Sequence, residues 1–70
     1  MMAVNEVNVG QDYINDHTDL GATVVRVETV SALEKLYHVV VFEADGFDTL
    51  QRQEMDSFCR HYHTLERAGY

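Results

Sequence analysis

The sequence predicts an α+β fold in which a small antiparallel sheet of two or three strands packs against a long C-terminal amphipathic helix. Two stretches rich in β-branched and aromatic residues, 23–30 and 37–44, predict strands. The six residues between them are too few for a crossover to a parallel strand, so we expect an antiparallel pair. The third observation is the helical repeat of apolar residues over positions 48–68.

The N-terminal stretch predicts two further elements. Residues 6–9 alternate apolar and polar side chains and predict a third strand, which Gly10 ends. Residues 11–20 predict a short helix that stops at Gly21. The element order is then β-α-β-β-α in a single domain over residues 1–70. The alternative is a frayed N-terminal arm on a ββα core.

The second predicted strand is expected in the interior of the sheet. Val40 and Phe42 share one face of it with His38, and Val39 and Val41 lie on the opposite face. Both faces are therefore apolar, which is typical of a strand with neighbours on both sides and layers above and below.

Capping residues mark the ends of the predicted helical segments. Ser31 and Glu34 match the S-x-x-E capping box, which predicts one helical turn over residues 31–36. Asp48 is a suitable N-cap for the long helix, and Gly69 a suitable terminator. About 20 helical residues would span about 30 Å, enough to cover a small sheet.

The charge distribution is the strongest functional signal. The chain has a net charge of −7, and residues 1–50, with nine acidic and two basic side chains, account for all of it. Such a field repels nucleic acid and anionic membranes and attracts basic surfaces. Direct nucleic-acid binding needs Lys and Arg to replace counterions, so we do not expect it.

The acidic residues form two groups. On a helix over residues 11–20, the first group would project as a stripe with axial steps of about 6.0 and 4.5 Å, close to the spacing of phosphates on one nucleic-acid strand. The second group crowds a predicted corner after the second strand. The predicted partner-binding residues are Asp12, Asp16 and Asp19 in the stripe and Glu43, Asp45 and Asp48 at the corner. A plainer interpretation is that these acids only keep the surface solvated, although ordinary surfaces mix the two signs.

Other functional classes find little support in the sequence. Cys59 and His63 stand four residues apart on the predicted helix, but no spacing indicates the further ligands of a zinc site, so no metal or cofactor is expected. Neither a Gly-rich phosphate loop nor an activated nucleophile is apparent, which argues against an enzyme. One cysteine precludes an intrachain disulfide, and neither a signal peptide nor a long apolar run is evident. We expect a soluble cytoplasmic protein without membrane contacts.

In its size, acidity and lack of catalytic motifs, the chain resembles the small phage- or mobile-element-encoded inhibitors of host machinery, such as anti-CRISPR proteins and RNA-polymerase inhibitors. The six acidic residues carry this resemblance. It implies a stoichiometric, non-enzymatic inhibitor, acting in the cytoplasm of a host cell, that occludes the basic nucleic-acid-binding surface of a protein or complex. The alternative function is a small homodimeric structural or regulatory module without nucleic-acid mimicry, which associates through an apolar strand edge or helix.

Overall fold

In the computed structural model, which describes residues 2–65, the chain forms one antiparallel sheet of five strands with one short α-helix. The strands are β1 (Asp12–Asn15), β2 (Gly21–Ala32), β3 (Lys35–Ala44), β4 (Gln51–Glu54) and β5 (Tyr62–Thr64). The helix α1 (Met55–His61) connects β4 to β5, and a 3-10 helix, Val4–Glu6, precedes β1. The spatial order is β4-β3-β2-β1-β5.

The two central strands confirm the clearest sequence predictions. The predicted strands 23–30 and 37–44 lie in β2 and β3, which pair antiparallel with Val27 opposite Val40 and Ala32 opposite Lys35. β3 has β2 on one side and β4 on the other, so its interior position is also confirmed. A β-bulge at Val25 shifts the register between Val24 and Arg26.

The predicted long C-terminal helix, and with it the predicted fold class, is wrong. Of residues 48–65, only Met55–His61 are helical, and the predicted residues 66–68 and Gly69 lie outside the described part of the chain. Gln51–Glu54 instead pairs with β3, and Tyr62–Thr64 pairs with β1. The N-cap is therefore Glu54, whose side chain accepts a hydrogen bond from Ser57 N. Backbone pairing along both edges of the sheet outweighs the helical repeat.

Three shorter predictions are also wrong. Residues 11–20 form β1 and a turn rather than a helix, and residues 6–9 form no strand. The expected helical turn over 31–36 is a two-residue hairpin turn, in which Leu33 and Glu34 have φ values of 51° and 65°. Two positive φ angles are the signature of a type I′ turn, whose twist matches that of the flanking strands.

The core lies between the sheet and α1, on what we call the inner face. Phe58 of α1 is fully buried, stacks on Tyr62 with 4.3 Å between ring centroids, and meets Phe42 and Tyr13 edge-on or tilted. The Tyr13 hydroxyl donates to Glu6 O (2.8 Å) and accepts from Asn8 N (2.7 Å). These two bonds attach the N-terminal segment to the sheet, and burial raises the pKa of the Tyr13 phenol.

The opposite, outer face of the sheet carries a bridge of ion pairs. Val41 points to this face and is almost fully buried, in register with Arg26 on β2 and Arg52 on β4. Both arginines bind Glu28, at 3.1 Å and 2.7 Å. The bridge thus crosses β3 beside Val41 and shields this apolar side chain from water. Arg26 and Arg52 are thus both engaged with Glu28.

Candidate functional site

A cross-strand row on the outer face brings the two acidic groups of the sequence together. Because Tyr13 points into the core, its neighbour Asp12 points to the outer face. Asp12 lies opposite Thr23 on β2, which in turn lies opposite Glu43 on β3. The Thr23 hydroxyl donates to Asp12 Oδ1 at 2.8 Å and so orients this carboxylate. Acids that are 31 residues apart in the sequence are thus separated by one strand.

Gly21 holds Asp45 at the end of the same row. Asp45 N donates to Gly21 O at 2.9 Å, and Gly21 N donates back to Asp45 Oδ2 at 3.1 Å. A Cβ atom at position 21 would lie only 2.8 Å from that carboxylate oxygen, closer than real side chains approach. The missing side chain of Gly21 therefore permits the approach that fixes the Asp45 carboxylate.

The turn after β1 brings a third carboxylate to this region. Asn15 Oδ1 accepts from His17 N and Thr18 N, at 2.9 and 3.1 Å, and closes a tight turn. Asp19 has a left-handed backbone with φ of 59°, and its N–H donates to Asn15 O at 3.0 Å. This conformation, which Asp tolerates better than most residues, turns the chain back into β2. It places Asp19 at the same end of the sheet as Gly21.

Five of the six predicted acidic residues line two adjoining hollows at this end of the sheet. Asp12, Asp19 and Asp45 line the first hollow, and Glu43, Asp45 and Asp48 line the second. Thr23 and Asp45 belong to both. Among the described residues, the two linings contain no Lys, Arg or His. We call the set Asp12, Asp19, Glu43, Asp45 and Asp48 the acidic surface.

Asp16 does not belong to this surface. It lines neither hollow, and its Oδ1 lies 2.5 Å from His63 Nδ1 of β5. The stripe of Asp12, Asp16 and Asp19 does not form, because the helix that would align them is replaced by β1 and a turn. The role of all six residues in partner binding stays a prediction.

Cys59 and His63, which stand four residues apart in the sequence, lie on opposite faces of the sheet. Cys59 belongs to the buried core under the inner face, and burial raises the pKa of its thiol. His63 lies opposite Ile14, on the outer face. Across residues 2–65, no group of three His, Cys, Asp or Glu side chains could hold a metal ion.

Two contributors to the surface have no recognisable signal in the sequence. Thr23 orients Asp12, and Gly21 admits Asp45, but both roles depend on cross-strand register. An exposed Phe47 and Leu50, 59% and 44% accessible, add an apolar rim to the second hollow. Aromatic residues are enriched at protein interfaces relative to the rest of the surface.

Comparisons with known proteins leave the function to be argued from this geometry. No protein-family model matches the chain, and no curated protein or solved structure is significantly similar to it. In the described part of the chain, no helix has the length and apolarity needed to cross a membrane.

Proposed function

We propose that this protein is a small, non-enzymatic inhibitor that places its acidic surface on the basic nucleic-acid-binding groove of a host complex, as anti-CRISPR proteins of the occluding type do. The observation that carries the proposal is the gathering of Asp12, Asp19, Glu43, Asp45 and Asp48 around two adjoining hollows, whose linings within residues 2–65 contain no basic residue. The fold collects these acids from three separate segments of the chain.

Preorganisation supports an active role for this surface. Carboxylates that only solvate a surface need no fixed position, yet Asp12 is held by Thr23 and Asp45 by Gly21. A carboxylate that is already oriented loses less conformational freedom when it pairs with Arg or Lys. Arg26 and Arg52 of the outer face are engaged with Glu28.

The mechanism is competition for one groove. Arg and Lys side chains that otherwise hold phosphates bind the carboxylates through charge-assisted hydrogen bonds. Nucleic acid is then excluded both by occupied cations and by the like charge of the inhibitor, whose net charge is −7. Phe47 and Leu50 at the rim add apolar contact that salt does not screen.

A capture and competition experiment tests this proposal. The protein is immobilised, exposed to a bacterial host lysate at low salt and eluted in salt steps, and the eluted complexes are identified. We expect a nucleic-acid-binding complex that elutes with rising salt, since exposed charges are screened beyond about 10 Å at 0.1 M. The purified complex is then given a labelled nucleic acid, which the protein should displace stoichiometrically. Simultaneous binding of the protein and the nucleic acid would contradict occlusion.

A further inference from the structure

The β2–β3 hairpin extends beyond the rest of the sheet as a two-stranded arm. β1 accompanies β2 only as far as Val24, and β4 accompanies β3 only from Val39 onward. Residues 26–38, which we call the hairpin arm, therefore have no neighbouring strand on either edge in the described structure. The molecule accordingly measures 45 Å in its long direction and 27 and 21 Å in the others.

The arm exposes large apolar side chains and adds none to the core. Leu33 is 91% and Leu36 71% exposed, and Val27 and Val30 are more than one-third exposed. A two-stranded hairpin is at best marginally stable in water without a further strand or layer. The arm thus has both an unsatisfied backbone edge and apolar area to bury.

The free edge of β2 can be located residue by residue. A two-residue turn at Leu33 and Glu34 makes Ala32 and Lys35 a hydrogen-bonded pair. Because such pairs alternate along an antiparallel ladder, Val27, Thr29 and Ser31 direct their N–H and C=O groups away from β3. Edge strands usually carry Pro, inward charges or a bulge against self-pairing. The bulge at Val25 lies before the arm begins, so it does not interrupt the free edge itself.

We propose that the β2 edge of the hairpin arm pairs antiparallel with the same edge of a second copy of this chain, around a two-fold axis at Thr29. Thr29 then faces Thr29 of the other copy, and Val27 faces Ser31 in both directions. Every free N–H and C=O of the three edge residues is used, which gives six hydrogen bonds in this register. The inference is independent of the acidic surface.

The neighbouring registers are less favourable. An axis at Glu28 would place the two Glu28 side chains directly opposite each other, where like charges destabilise a sheet. It would also use only Val27 and Thr29 of the free residues. With the axis at Thr29, each Glu28 lies opposite a Val30, and the two Thr29 side chains form a favourable cross-strand pair.

Charge argues for a second copy as the occupant. The arm contains two acids, Glu28 and Glu34, and two bases, Arg26 and Lys35, so it is neutral in a chain of net charge −7. Antiparallel arms also place the two acidic surfaces at opposite ends of the dimer, because Glu43 lies at the far end of β3 from the turn. Self-association through this edge therefore avoids the repulsion that two acidic surfaces would meet if they faced each other.

The ends of the arm are complementary as well. In this register the exposed Leu33 comes level with Val25 of the other copy. Next to that valine lies the Val9–Gly10 segment, since Gly10 N donates to Val24 O. Val9 is itself 64% exposed. The most exposed apolar residue of the arm thus meets an exposed apolar site on the body of its partner.

Association state is the first test. Sedimentation equilibrium on the whole chain should show a monomer–dimer equilibrium that strengthens between low salt and 0.5 M salt, because screening weakens the repulsion between two acidic chains. Thr29→Pro removes two of the six hydrogen bonds and should raise the dimer dissociation constant roughly thirtyfold or more. His38→Pro removes an outward N–H at the same level of the arm but on the β3 edge, and should leave the dimer intact.

Disulfide trapping is the second test and fixes the register. Residues facing each other across the axis in a hydrogen-bonded pair have Cα atoms about 5.5 Å apart, within disulfide range. Thr29→Cys should therefore give a covalent dimer on mild oxidation. Val30→Cys should not give a covalent dimer, because residue 30 of one chain and residue 30 of the other are diagonal neighbours about 7–8 Å apart. Cys59 is buried and stays out of this reaction.

Three results would overturn the proposal. The first is a wild-type chain that stays monomeric up to about 0.5 mM, a concentration at which even a weak dimer with a dissociation constant of about 0.5 mM would be substantially populated. The second is an equal effect of Thr29→Pro and His38→Pro on the dimer. The third is covalent trapping through Val30→Cys in preference to Thr29→Cys.

Discussion

Replacing Gly21 by Ala tests whether the close approach of Asp45 is what shapes the acidic surface. The added Cβ would lie 2.8 Å from Asp45 Oδ2, so the oxygen must withdraw by about 0.6 Å to reach an ordinary contact of 3.4 Å. That movement lengthens the bond from Gly21 N, now 3.1 Å, beyond useful range. A hydrogen bond to a charged group contributes about 1.5–3 kcal/mol, and we take the low end because this pair is exposed.

The opposing effect is the smaller entropy of an unfolded chain with Ala, which favours folding by about 0.4–1 kcal/mol. Gly21→Ala should therefore lower the free energy of unfolding by about 0.5–1 kcal/mol in the wild-type background. In an Asp45→Ala background the clash and the hydrogen bond are both gone, and the same substitution should raise stability by about 0.4–1 kcal/mol.

Urea unfolding is measured for the wild type, Gly21→Ala, Asp45→Ala and the double variant. The four free energies of unfolding give the coupling energy between positions 21 and 45, which we expect to be about 1–2 kcal/mol. Amide hydrogen exchange at position 21 provides a local readout, which should speed up in both single variants. Equal destabilisation by Gly21→Ala in the two backgrounds would refute the reasoning, because the cost would then not involve the Asp45 carboxylate.

Two further predictions concern the core and the arm. Phe58→Ala removes a fully buried ring in contact with three other aromatic rings and should lower the free energy of unfolding by about 3–5 kcal/mol. The thermal midpoint, followed by near-ultraviolet circular dichroism, should fall by roughly 15 °C or more. A shift of only a few degrees would contradict the packing described. Replacing Leu33-Glu34 by Asn-Gly relieves two left-handed backbone positions and should raise the free energy of unfolding by about 1 kcal/mol in urea, whereas a loss would contradict the type I′ turn.

The sequence predicts the centre of this fold better than its edges. β2 and β3 are recognisable because their β-branched runs are long and both faces of β3 are apolar. β4 is not recognisable, since Gln51–Glu54 contains no β-branched residue and becomes a strand only because β3 offers an unpaired edge. A short polar segment of this kind takes its structure from its neighbours.

The turn after β1 has a signal in the sequence that a helix over residues 11–20 does not explain. Residues 15–19 contain Asn, two Asp and Thr, the residues that favour turns through side-chain bonds to the backbone. Asn15 makes two such bonds in the structure. Tyr13 and Ile14, just before this turn, fit a strand as well as a helix.

The grouping of the acids in the structure has a different physical cause from the predicted helical stripe. Charge counting identifies the acidic segments, but the stripe assumed a helical period of 3.6. The observed neighbours follow from sheet register, in which Asp12 and Glu43 flank Thr23. No property of the sequence alone specifies that register across 31 positions.

We propose that the position of the acidic residues, beyond their number, determines binding to the basic groove. The most direct measurement is the affinity of two charge-matched triple variants for the host complex captured by the wild-type protein. One variant carries Asp12→Asn, Glu43→Gln and Asp45→Asn, which keep the hydrogen-bonding oxygens of the acidic surface. The other carries Glu6→Gln, Glu34→Gln and Asp56→Asn, which lie outside both hollows.

We expect the first variant to bind about tenfold more weakly or worse, since each exposed ion pair contributes up to about 1 kcal/mol, and the second to bind nearly as the wild type does. Equal losses in the two variants would show that only net charge matters and would contradict the account.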